Sequence, residues 1–341
     1  MHFASDSSSF SFATLGPAVV LDALDTVGVH GDGRLLALGS YENRVYRVHL
    51  EEAVRGHEAV VAKFYRPGRW SAAQIQEEHD FALDLVAQEV PVVAPLELQG
   101  RTLHEAQGFY FSVSPVRGGR PPELDDVEVL EWIGRFLGRI HTVGMGRSFD
   151  RRPTLDVPSF GVASAQYLQA QHVIPLEVER EWHGAFEQAL VLVNEAFERG
   201  AATRQTLRVH GDCHPGNILW TPAGMPGEGP HFVDLDDARM GPAVQDLWML
   251  LSGDRRQRTT QLSALLDGYE QVRDFDRAEL ALIEALRTLR LVHYSAWLAR
   301  RWQDPIFPIN FPWFGTPDYW RGQVHMLNEQ IEAMQEPALV A

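Results

Sequence analysis

The sequence predicts an α+β fold of two lobes, a small β-rich lobe followed by a larger helical one. Three observations lead there. Residues 34–65 are rich in β-branched and aromatic residues broken by polar turns, which reads as three strands. Beyond about residue 119 the apolar spacing turns helical, in 132–143, near 163–199, in 261–272, in 278–302 and in the C-terminal segment. Within that second half only 207–236 keeps β character.

The elements follow in order. Residues 1–15 are Ser/Phe-rich and read as a flexible tail, 16–114 as the N-lobe and 115–341 as the C-lobe, with a hinge near 112–119. Pro17 opens a short amphipathic helix over 17–27. Strands are expected in 34–50 and 59–65. Ser71 and Gln74 have the spacing of a capping box, and 72–88 then reads as a helix. At ~100° per residue Ile75, Ala82, Leu85 and Val86 share one face. Glu78 lies inside that apolar stripe, and a carboxylate there needs a partner. LELQGRTL and GFYFSVSPV supply two more strand candidates.

Composition sets the outer limits. Of 341 residues 45% are hydrophobic and 22% charged, which excludes wholesale disorder. No apolar run approaches the ~18 residues of a membrane span, so no membrane partner is expected. The first residues lack the basic and apolar regions of a secretory signal. One cysteine, Cys213, excludes an internal disulfide and suits a reducing cytoplasm. A net charge of −16 argues against a broad nucleic-acid-binding face. Lys63 is the sole lysine among 30 basic residues, in a chain that otherwise uses arginine for every positive charge. A compact ammonium is required where the site is confined and exacting.

The stretch His210-Gly211-Asp212-Cys213-His214-Pro215-Gly216-Asn217 places Asp and Asn five apart. An Asp beside an acceptor hydroxyl orients it and takes its proton. An Asn carbonyl suits a Mg²⁺ whose charge other groups already balance. Seventeen residues on, Phe232-Val233-Asp234 is an apolar strand delivering a carboxylate. The intervening TPAGMPGEGP reads as a hairpin, which puts Asn217 and Asp234 at neighbouring strand ends, within reach of shared metal ions. Asp237 reads as a solvated turn residue, and Asp236 is open between the two roles. His210 and His214 read as hydrogen-bonded buttresses, Asp246 as an acid bracing the loop backbone, and Cys213 as a buried small residue.

H-G-D-x-x-x-x-N followed by V-D-x-D resembles the aminoglycoside phosphotransferase and choline kinase superfamily of protein-kinase-like bilobal folds. SYENRVY (40–46), VAKFYRP (61–67), EEHDFALDL (77–85), FVDLDDARMGPAVQDLWMLL (232–251) and FPINFPWF (307–314) extend the likeness over nearly the whole chain. Together they are similar to the bacterial stress response Ser/Thr protein kinases of that superfamily. The resemblance implies ATP as phosphoryl donor and Mg²⁺ as cofactor. It implies that Lys63 contacts the α/β-phosphates with Glu78 as its ion-pair partner, and that the turn holding Ser40 and Asn43 covers the phosphates. Asp212 and Asp234 would be catalytic, with Asn217 and Asp234 on the metal. The G-x-G-x-x-G of protein kinases is absent, and only Gly39 remains.

Eleven residues separate Asp234 from Asp246, too few for an activation segment and its peptide platform. That spacing favours a small-molecule acceptor, whereas the resemblance favours protein Ser/Thr. The leading expectation is a monomeric, cytoplasmic Ser/Thr protein kinase that also phosphorylates itself, Ser5, Ser7, Ser8, Ser9 and Ser11 being available hydroxyls. The alternative is a kinase of an aminoglycoside, choline or homoserine-like alcohol. A pseudokinase is disfavoured because Lys63, Glu78, Asp212, Asn217 and Asp234 are all present. The aromatic run from Phe307 to Trp320 reads equally as an acceptor wall or a packing loop.

Overall fold

The computed structural model describes residues 12–199, 201 and 204–341. The N-lobe sheet is built from β1 (Gly31–Leu38), β2 (Arg44–Val54), β3 (His57–Phe64), β4 (His104–Ala106) and β5 (Phe109–Pro115). All pairings are antiparallel, in the order β1-β2-β3-β5-β4. The period of two divides β3 between two environments. Val60, Ala62 and Phe64 are buried with Val48, Phe111 and Val113, beneath helix α1 (Pro17–Asp25). The opposite face presents Lys63, in register with Val45 on β2 and Ser112 on β5.

The expected tail over 1–15 is corrected at its inner end. Phe12–Thr14 form a 3₁₀ turn, Phe12 and Leu15 are buried, and Phe12 stacks on Phe109 with ring centroids 5.8 Å apart. Burying an aromatic ring outweighs the weak local propensity of a Ser-rich stretch. The serines at 5, 7, 8, 9 and 11 lie outside the described residues. LELQGRTL contributes a single bridge, Leu98 to Arg101, and the short β4 follows it.

Helix α2 (Ala72–Ala87) opens on the expected capping box. The Ser71 hydroxyl accepts from Gln74 N–H at 3.3 Å, and Gln74 Oε1 accepts from Ser71 N–H at 3.0 Å. Ile75, Glu78, Phe81, Ala82 and Leu85 are buried, but Val86, expected on the same stripe, is exposed. The stripe is narrower than expected, and Val86 falls past its rim. Phe81, Ala82 and Leu85 pack into the core of the C-lobe. So α2 bridges the lobes, with Glu78 held at the seam.

The C-lobe carries α3 (Val127–Met145), α4 (Ala163–Ala170) and α5 (Leu176–Glu198), then two small two-stranded sheets. One pairs β6 (Leu207–Val209) with β9 (Arg239–Gly241), the other β7 (Ile218–Thr221) with β8 (Gly229–Phe232). Next come α6 (Val244–Trp248), α7 (Arg255–Tyr269), α8 (Ile283–Arg301), α9 (Ile306–Asn310) and α10 (Pro317–Gln335). Two apolar clusters hold the lobe. One joins α2, α3, α6 and α7, and the other joins α4, α5, α8 and α10 with Phe307, Phe311 and Phe314. Trp320, a candidate wall of the acceptor cleft, is fully buried in the second cluster, whereas Trp313 is 42% exposed. The aromatic run is therefore mostly packing. Among the described residues no helix is long and apolar enough to cross a membrane.

Candidate active site

Lys63 leaves β3 on the face turned away from the N-lobe core and meets three carboxylates. Its Nζ lies 2.9 Å from Asp234 Oδ1, 3.4 Å from Asp236 Oδ1 and 3.6 Å from Glu78 Oε1. Burial opposes the ammonium's charge, but Asp234, Asp236 and Glu78 outweigh it and raise the Lys63 pKa well above its ordinary value. Glu78, the most distant of the three, is the least compensated. Burial pushes its carboxyl up to about 7, against the pull of Lys63. The carboxylate that interrupts the α2 stripe thus has its partner across the seam.

The loop after β6 is held by Asp246. Its carboxylate accepts the backbone N–H groups of His210 at 2.7 Å and Gly211 at 2.8 Å, and lies 3.0 Å from His141 Nε2. Burial works against the Asp246 charge, and the bond from His141 more than restores it, leaving the pKa lowered. Gly211 has φ +85°, and a Cβ there would collide with the Asp237 carbonyl, so only glycine fits. His210 donates through Nε2 to the Val233 carbonyl at 2.9 Å, joining the loop to the end of β8. The Asn217 amide donates to the Asp212 carbonyl at 3.0 Å, which leaves its oxygen as a ligand atom. His214 Nδ1 accepts from Gly216 N–H, so its proton sits on Nε2, 3.6 Å from Asp212 Oδ2. Cys213 is buried, and burial raises its thiol pKa well above normal, which removes thiolate chemistry.

Ile218 pairs with Phe232, and Val233 N–H donates to the Asn217 carbonyl at 3.0 Å. Asn217 and Asp234 therefore stand at adjacent strand ends. Asp234 takes the left-handed conformation, φ 60° and ψ 62°, and its side chain is half exposed. Asp236 is buried and pairs with Arg69 as well as Lys63, and these two hold its pKa below normal despite burial. Asp237 is corrected from a solvated turn residue. Arg69 at 2.9 Å and Arg239 at 2.6 Å pair with it and lower its pKa strongly against burial.

The turn between β1 and β2 carries Ser40 and Asn43. Ser40 sits half-buried at its head, but Asn43 is buried and its carboxamide oxygen accepts from Arg66 N–H at 3.0 Å. Through this bond Asn43 shapes the turn, and its carboxamide NH₂ takes no part in it. Glu42 accepts from Arg301 at 2.7 Å and from the Trp297 indole, and lies 3.1 Å from Arg66. Asp304 pairs with Arg44 at 2.9 Å and Arg66 at 2.8 Å. The turn is thus bound to the C-lobe.

Three arginines of the site had no motif to mark them. Arg69 follows Lys63 by six residues and carries Asp236 and Asp237. Arg152 lies over the Trp70 ring at 4.5 Å, donates to the carbonyls of Gln74, Asp236 and Ala238, and approaches Glu78 at 3.9 Å. Arg290 of α8 stands 2.8 Å from Asp212 Oδ1. The buried acids could have signalled cationic partners, but not which ones.

A profile of the phosphotransferase enzyme family matches residues 22–283. Stress response kinase A of Escherichia coli (strain K12) is 46% identical over 334 residues, 98% of each chain. The serine/threonine protein kinase RdoA of Salmonella typhimurium is related to the same extent. Among solved structures, a microcompartment-associated aminopropanol kinase superposes with TM-score 0.70 at 17% identity, covering 94% of this chain and 98% of that one. The amicoumacin kinase hAmiN gives 0.68 at 19% identity, over 94% and 93%. With the family profile spanning both lobes and full-length relatives at this identity, the chain belongs to the phosphotransferase enzyme family, alongside the stress response kinases.

Proposed function

We propose that the protein transfers the terminal phosphoryl group of ATP to Ser or Thr hydroxyls of proteins, itself included, as a cytoplasmic monomer. The full-length likeness to proteins named stress response kinase A and serine/threonine protein kinase carries the acceptor assignment. The site supports the chemistry. Lys63 pairs with Glu78 at 3.6 Å and is suited to the α/β-phosphates. Asp212 accepts the proton of the acceptor hydroxyl as its oxygen bonds to phosphorus, and ADP departs with the broken P–O bond. His214 Nε2–H faces the other oxygen of that carboxylate from 3.6 Å.

Mg²⁺ fits the Asp234 carboxylate and the free oxygen of Asn217. Among the described residues no three His, Cys, Asp or Glu side chains gather into a metal cage. Mg²⁺ characteristically takes one or two protein ligands and completes its octahedron with phosphate oxygens and water. Bound there, it would neutralise the phosphate charge that develops during transfer.

The test is incubation with MgATP labelled at the γ-phosphate, with a generic protein acceptor and a panel of small alcohols. Labelled protein is expected. Brisk turnover of an alcohol with no labelled protein would establish the small-molecule reading instead. Two variants separate the roles. Asp212→Asn should lose kcat by at least about 100-fold while retaining MgATP affinity in calorimetry. Asp234→Ala should lose both. Equal loss of nucleotide binding in the two would mean the roles are misassigned.

A further inference from the structure

Arg290 has no place in the chemistry assigned so far. It lies on the face of α8 that runs Arg287, Arg290, Tyr294, Trp297 and Arg301 at helical spacing. The other arginines of that stripe have partners of their own. Arg287 pairs with Glu284 and covers the Trp248 ring, and Arg301 is held by Glu42. The carboxylate paired with Arg290, among the described residues, is Asp212.

The contact is ionic rather than a directed bond. Nη1 stands 2.8 Å from Asp212 Oδ1, yet Oδ1 is buried without a hydrogen-bond donor. The guanidinium thus covers this oxygen of the base and does not satisfy it. An acceptor hydroxyl reaches Oδ1 only when Arg290 moves aside. Its side chain is 38% exposed, so it has room to do so. On leaving Asp212 the guanidinium gives up its ion pair, and an anion on the acceptor replaces it. A carboxylate near the hydroxyl does this, and the planar fork of arginine holds it with two bonds.

We propose that Arg290 is a specificity residue, selecting acceptors that carry a carboxylate beside the target hydroxyl, as in a Ser or Thr flanked by Asp or Glu. The acceptor's carboxylate takes the guanidinium from Asp212, and the same event exposes the base to the hydroxyl. A neutral acceptor must compete with Arg290 for Asp212, and a basic one is repelled. The net charge of −16 would disfavour acidic acceptors over the surface as a whole. Within a screening length of ~8 Å, the local arginine decides.

This inference rests on the protein kinase reading, and its test keeps the two apart. Three peptides identical except for Glu, Gln or Lys on both sides of one Ser are compared by kcat/KM. Wild type should prefer the Glu peptide to the Gln peptide by about ten-fold, the scale of one charge-assisted hydrogen bond. Arg290→Gln should bring that ratio within two-fold, and Arg290→Glu should favour the Lys peptide. Thermal melting of both variants checks that α8 stays folded. No preference in wild type, or an equal loss on all three peptides in Arg290→Gln, overturns the proposal. The second result would place Arg290 on the transferring phosphoryl group. If no peptide is labelled, the protein kinase reading fails by itself. The ratio is then read on two small alcohols, one with a carboxylate beside the hydroxyl and one with a methyl group there. A carboxylate preference that Arg290→Gln abolishes upholds the role of Arg290, and its absence overturns it.

Discussion

Lys63 faces three carboxylates, and its chemistry follows from that geometry. A compact ammonium can approach Asp234, Asp236 and Glu78 within 3.6 Å at once. A guanidinium is wider, directs its donors in one plane, and would enter a pocket where Arg69 and Arg152 already stand. Lys63→Arg should therefore keep the fold and lose at least about 100-fold in kcat, the usual result of removing a preorganised phosphate contact. Turnover at saturating MgATP, read beside a melting curve, checks this. Near-normal turnover in a folded variant would remove Lys63 from the mechanism. Glu78 was legible as an acid in an apolar stripe. Arg69, Arg152 and Arg290 were not, because arginine is this chain's general positive charge and carries no positional signal.

Among elements, the crossing of α3 and α7 fixes the C-lobe. Both helices offer glycine at the contact, so their backbones touch. A Cβ on Gly134 would meet the Leu265 carbonyl, and one on Gly268 would meet the Glu131 carbonyl. Neither obstacle is a flexible side-chain end, so the helices would have to separate. Gly268→Ala should lower stability by about 3 kcal/mol, at the upper end of overpacking changes, despite alanine's better helix propensity. A urea midpoint shift with unchanged m-value is the expected reading. An unchanged midpoint would show that the crossing can relax. The sequence displays both glycines in helical runs, but nothing in it says that they face each other.

At the scale of the molecule, buried titrating groups oppose one another in their effect on acid stability. Burial lowers His79 and His293 from 6.5 to about 3. The unfolded chain then binds their protons first, so stability falls as pH drops below ~6.5. Burial raises Glu279 from 4.5 to about 7. The folded chain binds that proton first, so stability rises as pH falls from ~7 toward ~4.5. Glu279→Gln keeps an acceptor for the Val244 N–H, which Glu279 holds at 2.9 Å, and removes the ionisation. The variant should be more stable than wild type at pH 7.5, and that advantage should shrink by about 2 kcal/mol by pH 5.5. Denaturant titrations at the two pH values test this, and an advantage independent of pH would contradict it. The lobes are also joined through ions. Glu42, Arg66 and Asp304 bind the β1–β2 turn to the end of α8 and the segment after it.

The sequence alone determined the two-lobed α+β fold, the Ser71 cap and the D-x-x-x-x-N loop with its hairpin to Asp234. Each is a local pattern whose physical meaning lies within a few turns of chain. It also marked Lys63 by its singularity and Glu78 by its misplacement. The tertiary structure decided which charge meets which. Asp237 turned from a surface residue into a partner of Arg69 and Arg239, and the Asn43 carboxamide oxygen came to accept from Arg66 N–H. Trp320 went into a core instead of a cleft, and Arg290 came to Asp212 across 78 residues of chain. Local periodicity sets which face of an element is apolar. The partner of a buried polar group depends on how distant elements pack, and no short window of sequence contains that.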